Sequence, residues 1–222
     1  MNDDNLEELR IALVMNGGVS LAVWMGGVTN EIFRLVKERH PVYAGLLALT
    51  HSAARVDVIS GTSAGGVNGA ALSLALLYDS EFAKLREVWM NMRTFQDLLR
   101  DPLDKNPGSL LRGDDYFLPQ IKEAFSKLAK TDQAAEVNAP CPNGPERMPI
   151  DLRLTTTLLR GRLACTVDDL GTRVGDMDHR ARFRFQHRDG VDGVDHFKGF
   201  CRGKDQETSG VSMKSTAYVA RS

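Results

Sequence analysis

Apolar and polar positions in the N-terminal third of the chain alternate between strand-like and helix-like periods. Residues 10–15 (RIALVM) and residues 55–59 (RVDVI) are short apolar runs with the length and composition of buried strands. Each run leads through a glycine-bearing turn into a helical pattern, over residues 21–39 and residues 67–78. Strands and helices that alternate at this spacing predict an α/β fold with a mainly parallel sheet.

Two amphipathic helices are predicted next, from apolar residues at helical spacing. Asp79 or Ser80 would cap the first of them, and Asp114 or Asp115 the second. Their apolar positions are Phe82, Leu85, Trp89 and Met92 in the first helix, and Phe117, Ile121, Phe125 and Leu128 in the second.

The C-terminal half is poorer in helical patterns. Prolines and glycines predict loops over residues 100–113 and 131–149. Residues 150–159 and 182–187 alternate as strands that pair with each other, and residues 168–178 are expected to connect them as a loop.

Composition excludes several classes of function. The chain has 222 residues, of which 42% are hydrophobic and 26% charged, so it can bury a core. A formal net charge of −1 gives no reason to expect a nucleic-acid partner. No stretch approaches the ~20 apolar residues of a spanning helix. Three cysteines without metal-like spacing, and an acidic N-terminus, fit a reduced cytoplasmic location with no metal.

A G-x-S-x-G motif lies between the second strand and its helix, where a nucleophile elbow requires it. The motif is formed by Gly61, Thr62, Ser63, Ala64 and Gly65. Small neighbours allow the tight turn, and the helix dipole favours negative charge developing near the serine. Ser63 is therefore the predicted nucleophile. The alternative is a Gly/Ser-rich cap that merely begins a helix.

The turn after the first strand is the natural source of oxyanion donors. Gly17, Gly18 and Val19 precede the first helix, and glycine lets the backbone approach a substrate closely. An ordinary tight turn is the alternative. The spacing of the glycines does not fit the dinucleotide fingerprint, and no G-K-[ST] of a phosphate-binding loop follows.

Together these motifs resemble the patatin-like phospholipase family. Residues 61–70 (GTSAGGVNGA) are similar to the family's G-T-S-A-G-A-[IV]-N-A-A, and residues 16–19 (NGGV) to its glycine-rich oxyanion loop. The departures in and after that loop are Asn16, Val19 and Leu21. The resemblance assigns residues 10–222 to a patatin-like domain, preceded by a polar tail over residues 1–9.

The resemblance implies a three-layer α/β/α fold and a Ser–Asp dyad without a catalytic histidine. It implies hydrolysis of lipid acyl esters through an acyl-enzyme on Ser63, with Gly17, Gly18 and Val19 as the oxyanion hole. No cofactor is implied. The expected partners are a lipid or acyl-ester substrate and, transiently, a membrane interface.

The dyad aspartate cannot be assigned. The family places it in D-G-G or D-G-A, and neither occurs in the chain. Asp189 and Asp192, each before a glycine and a valine, are the nearest forms, but a charged turn explains them more simply. The sequence therefore predicts a domain that lacks the C-terminal part of its core, and a 222-residue chain that is itself inactive.

Two other functions are compatible with parts of the pattern. An α/β-hydrolase triad could use His179, His187 or His196, but that fold places its elbow after several strands, and these histidines lie among charges. A non-catalytic binding module, or an inactive fragment with a patatin-like fold, is the other alternative.

Overall fold

The computed structural model describes residues 6–18, 20–80, 82, 84–91, 95–101, 103, 109–128, 149–187 and 198–201. Its five-stranded sheet has the order β1 (Glu7–Met15), β2 (Ser52–Thr62), β3 (Ile150–Val167), β4 (Arg173–His187) and β5 (Lys198–Cys201). β1, β2 and β3 run parallel, whereas β4 and β5 each pair antiparallel with their neighbours.

Helices fill the connections between the parallel strands, as parallel pairing requires. α1 (Ala22–Val36) and α2 (Pro41–Leu49) join β1 to β2. Between β2 and β3 lie α3 (Ala64–Tyr78), α4 (Lys84–Asn91), α5 (Phe95–Leu98) and α6 (Leu118–Leu128), with a π-helical turn over Gly113–Phe117 before α6. The predicted α/β fold class is confirmed.

Helix α3 lies at the centre of the core. Every residue from Ala64 to Leu76 is buried, as the apolar run in the sequence predicts. The helix packs between the sheet and its neighbours α1 and α6. The fully buried side chains around it come from the strands and from the later helices: Val56, Ile59, Leu152, Leu154, Phe185, Phe82, Leu85, Ile121, Phe125 and Leu128.

The carboxyl ends of β1, β2 and β3 form one edge of the sheet. Met15 pairs with Gly61, and Thr62 pairs with Thr155, whose hydroxyl it contacts. Both glycine turns therefore leave the sheet side by side. In open α/β sheets this edge is where ligands bind.

A bulge in the pairing of β1 with β2 contains an aspartate that is bonded by two arginines. Ile11 pairs with Val56 and Ala12 with Val58, so Asp57 is the extra residue. Burial raises the pKa of Asp57, but hydrogen bonds from Arg10 and Arg55 outweigh this effect, and the net pKa lies below its usual value. Asp57 is therefore an ionised, doubly paired carboxylate.

Several element boundaries differ from those predicted. β1 begins at Glu7, within the predicted tail. α1 ends at Val36, and Glu38 takes a left-handed φ of 51°. The helix after it was not predicted. Pro41 is the first residue of α2, and His40 caps this helix by accepting a hydrogen bond from the Val42 amide (3.3 Å).

The predicted caps of both helices are wrong. Ser80, the alternative to Asp79, is not adjacent to Lys84, where α4 begins. Asp79 has a left-handed backbone and ends α3 instead of starting the next helix. Asp114 and Asp115 lie within the π-helical turn, whose N-cap is Arg112. The predicted loop over residues 131–149 lies outside the described residues, except for Pro149.

The connection between β3 and β4 is much shorter than predicted. β3 extends to Val167 and β4 begins at Arg173, so most of the predicted loop over residues 168–178 is strand. The turn is closed by Asp168, whose carboxylate accepts hydrogen bonds from the amides of Leu170 (2.9 Å) and Thr172 (2.7 Å). Gly171, with a φ of 83°, supplies the left-handed position of the turn.

Candidate active site

Ser63 stands at a strained turn between β2 and α3. Its φ of 53° and ψ of −124° lie outside the regions that ordinary residues occupy, at a cost of about 1–3 kcal/mol. The side chain is exposed, whereas the helix that follows it is buried. A serine held outward on a strand–turn–helix is the geometry of a nucleophile elbow.

The turn after β1 touches this serine. A Cβ placed on Gly17 would lie 2.9 Å from Ser63 Cβ and 3.6 Å from Ser63 Oγ. The next residue, Gly18, has a φ of 143°, which side chains rarely adopt. The structure therefore brings Gly17 beside Ser63, whereas a Cβ on Gly18 would meet the side chain of Leu21 at 3.5 Å. Val19 lies outside the described residues.

Close backbone packing fixes the two turns against each other. A Cβ on Gly65 would lie 2.3 Å from the carbonyl oxygen of Met15 and 2.7 Å from that of Asn16. A Cβ on Gly61 would lie 2.5 Å from the Gly65 carbonyl oxygen. The small residues of the motif are thus required by contacts between backbones, and not only by the bend itself.

Both helix N-termini at this edge are free of competing groups. Neither Leu21 at the start of α1 nor Ser63 at the start of α3 makes a side-chain cap hydrogen bond, and neither first turn contains an acidic residue. Uncapped N–H groups and the positive end of the helix dipole favour an anion there. The edge can therefore stabilise negative charge that develops next to Ser63.

Asn68 connects the two turns through their helices, and sequence reasoning missed it. The residue is fully buried in α3. Its Nδ2 donates to the Ala22 carbonyl oxygen at the start of α1 (3.1 Å), and its Oδ1 accepts from Trp89 Nε1 in α4 (3.0 Å). A buried polar side chain with both ends satisfied fixes how neighbouring elements pack. The signal was an asparagine within the mainly apolar sequence of α3.

None of the described carboxylates hydrogen-bonds to Ser63 Oγ. Asp57 is held by Arg10 and Arg55. Burial raises the pKa of Asp151, but hydrogen bonds from Arg184 and Arg153 outweigh it and leave the pKa below its usual value. Carboxylates paired in this way are weak bases.

The remaining candidates for a proton acceptor are two aspartates and three histidines. Asp189, Asp192 and His196 lie outside the described residues. His187 pairs with Ile150, the first residue of β3, at the edge of the sheet opposite Ser63. His179 Nδ1 is 2.7 Å from the Leu158 carbonyl oxygen, on the part of β3 and β4 beyond the sheet. Neither described histidine is placed to form a triad with Ser63.

Within the described ranges, no group of three or more His, Cys, Asp or Glu side chains could hold a metal ion. None of the described helices is long and apolar enough to cross a membrane.

Comparison with known proteins agrees with this geometry. The family model for patatin-like phospholipase matches residues 13–196, which include both turns, all of β2 and β3 and the end of β1. The chain belongs to the patatin-like phospholipase family. The resemblance carried by residues 16–19 and 61–70 is thereby confirmed.

The patatin-like chain is also 35% identical, over 205 residues, to the protein named "Uncharacterized membrane protein Rv3479" of Mycobacterium tuberculosis. The match covers 82% of this chain and 19% of the relative, so the chain spans about a fifth of that relative's length. No solved structure matches the chain.

Two departures from the family's elbow motif have different structural settings. At Gly66, where the motif has alanine, a Cβ would make an ordinary contact with Leu154 Cδ2 at 3.5 Å. At Gly69, also alanine in the motif, a Cβ would lie 2.8 Å from Ile59 Cγ2. Ile59 fills the space that the family's second alanine would need, whereas the first alanine would fit.

Gly65 and Gly66 provide a matched pair of substitutions that tests the contact of Gly65 with the carbonyl groups of Met15 and Asn16. We expect Gly65→Ala to lower the free energy of unfolding by about 3 kcal/mol, because overpacking costs about 1–3 kcal/mol and a backbone carbonyl cannot rotate away. Gly66→Ala should leave it unchanged or raise it by up to about 1 kcal/mol, since alanine favours helix. Urea unfolding followed by circular dichroism measures both. Equal midpoints for the two variants would contradict the packing described.

Proposed function

We propose that the patatin-like domain is a serine acyl hydrolase that cleaves acyl esters of lipids, with Ser63 as its nucleophile. The observation that supports this most directly is the contact between the strained turn at Ser63 and Gly17. A nucleophile and candidate oxyanion donors thus meet at one edge of the sheet, as acyl transfer requires.

The proposed reaction follows from this arrangement. Ser63 Oγ attacks the acyl carbon and loses its proton to a base, while the carbonyl oxygen becomes an oxyanion. Amides of the turn at Gly17, Gly18 and Val19 donate hydrogen bonds to that oxyanion. The alcohol part of the lipid leaves with a proton, and an acyl-enzyme remains. A water molecule, activated by the same base, then releases the fatty acid.

We assign the base to an aspartate outside the described residues. The described aspartates closest to the nucleophile in the sheet, Asp57 on β2 and Asp151 on β3, are held by arginines and have lowered pKa values. Within this chain Asp189 and Asp192 remain the candidates to test, although neither stands in the D-G-G or D-G-A form of the family.

The substrate class rests on family membership and on the surface beside the nucleophile. Leu21 and Trp24, at the start of α1, are exposed apolar side chains close to the proposed oxyanion turn. They suit the acyl chain of a lipid better than a polar substrate.

The cellular location is a separate proposal. The relative's name describes a membrane protein. For this chain we propose a cytoplasmic location with peripheral membrane contact.

Labelling with an activated fluorophosphonate tests the nucleophile. The probe should add one phosphonyl group to Ser63 in the intact enzyme, in which the base is present, and Ser63→Ala should abolish the adduct. Intact mass and peptide mapping measure both. Ser20→Ala removes the exposed hydroxyl that follows the oxyanion turn, and this control should be labelled like the parent. An adduct that survives Ser63→Ala would place the nucleophile elsewhere.

Hydrolysis of a p-nitrophenyl acyl ester tests the assignment of the base. We expect the 222-residue chain to turn over little or no ester, because a positioned base is worth about 10²–10⁴-fold and the chain has no convincing copy of it. Robust activity that is lost in Ser63→Ala would contradict this expectation. Asp189→Asn and Asp192→Asn, assayed in parallel, would then identify the base. An intact enzyme that does not accept the probe at Ser63 would favour a non-catalytic binding module.

A further inference from the structure

Strands β3 and β4 continue as a two-stranded ribbon past the edge of the sheet that carries Ser63. The pairing of β2 with β3 ends at Thr62 and Thr155, but β3 runs on to Val167. At about 3.3 Å per residue, the turn at the tip lies roughly 30 Å beyond that edge. We call residues 158–180 the projecting ribbon.

The projecting ribbon has two chemically different faces. Side chains alternate along each strand, so cross-strand partners share a face. One face is mainly apolar and the other mainly polar. The register places Leu163 opposite Met177, Cys165 opposite Gly175 and Val167 opposite Arg173 on the first face, and Arg162 opposite Asp178, Ala164 opposite Asp176 and Thr166 opposite Val174 on the second.

The apolar face is exposed. Leu163 is 80% exposed, and Val167 and Met177 on the same face are also more than half exposed. Leu170, at the tip, is 91% exposed. A two-stranded ribbon on its own is marginally stable in water, and clustered exposed apolar side chains mark a binding surface.

A bulge at the base of the ribbon turns another leucine outward. Residues 158–161 lie opposite the single residue His179, whose ring occupies the space beside Gly161. The His179 side chain also bonds to the Leu158 carbonyl oxygen. Leu159, in the middle of this bulge, is 100% exposed. The bulge therefore exposes one more apolar side chain at the base of the ribbon.

We propose that the projecting ribbon is a lipid-binding arm that lies with its apolar face in the surface of a phospholipid bilayer. The choice of lipid as occupant rests on the proposed function, because the ribbon starts at the edge that carries the nucleophile. A bilayer into which the ribbon inserts its apolar face would lie next to that edge, so lipid from the bilayer could reach Ser63.

The charges of the ribbon suit a lipid surface. Arg173 shares the apolar face, opposite Val167. A long cationic side chain in such a place can reach a head-group phosphate while its stem stays in apolar surroundings. Residues 158–180 contain four arginines and four aspartates, so the formal net charge of the ribbon is zero. Apolar burial, and not net charge, should therefore drive binding, and phosphatidylcholine vesicles are a suitable probe.

Flotation of the 222-residue chain with phosphatidylcholine vesicles tests the arm, with Ser63→Ala in every sample to prevent turnover. Leu163→Asp with Met177→Asp places two charges on the apolar face. The matched control, Thr166→Asp with Val174→Asp, places them at an equivalent cross-strand pair on the other face. We expect the first pair to weaken vesicle binding about tenfold or more, since burial of one large apolar side chain contributes about 1.5–3 kcal/mol, and the control pair to bind like the parent.

Circular dichroism and thermal melting of both variants separate loss of binding from loss of fold. Absence of vesicle binding by the parent, or equal binding by both variants, would overturn the proposal. A third outcome would also overturn it. If the parent does not bind vesicles but forms a concentration-dependent dimer that Leu163→Asp with Met177→Asp abolishes, the ribbon binds a second copy of the chain instead of lipid. Since binding is measured without turnover, its failure would leave the acylation of Ser63 untouched.

Discussion

The structure depends on one close contact between backbones, where the turn after β1 meets the turn after β2. Gly65 lies against the carbonyl groups of Met15 and Asn16, and Gly17 lies against Ser63. Neither contact leaves room for a side chain. The parallel register of β1 and β2 brings the turns together, and the missing Cβ atoms let them touch. The proposed nucleophile on one turn can therefore share a substrate with the proposed amide donors on the other.

The surroundings of this contact explain how a strained serine is maintained. The backbone of Ser63 costs about 1–3 kcal/mol, but it is continuous with α3, whose buried run from Ala64 to Leu76 contributes much of the core. Asn68 then ties α3 to α1 and α4 through two hydrogen bonds. Because α1 begins just after the proposed oxyanion turn, the same hydrogen bonds that stabilise packing also hold the two turns in register.

Much of this arrangement can be predicted from local patterns in the sequence. The two apolar runs, the glycines after them and the buried helix are each specified by adjacent residues, so β1, β2, α3 and the elbow at Ser63 were predicted. Helix α2 was missed because Pro41 both follows one helix and begins the next. The projecting ribbon was missed because the bulge at residues 158–161 and the mixed polar sequence interrupt the alternation. The role of Asn68 depends on Ala22 and Trp89, which are distant in sequence.

The most direct test of the account is a crystal structure of the intact enzyme, with its base present, after reaction with a fluorophosphonate. The account predicts a phosphonyl group on Ser63 Oγ, with its oxygen within about 3 Å of amide nitrogens of the turn at Gly17 and Gly18. It also predicts that Ser63 keeps a positive φ. A phosphonyl oxygen that points away from this turn, or a turn displaced from Ser63, would contradict the central claim that the two glycine turns form one acyl-transfer site.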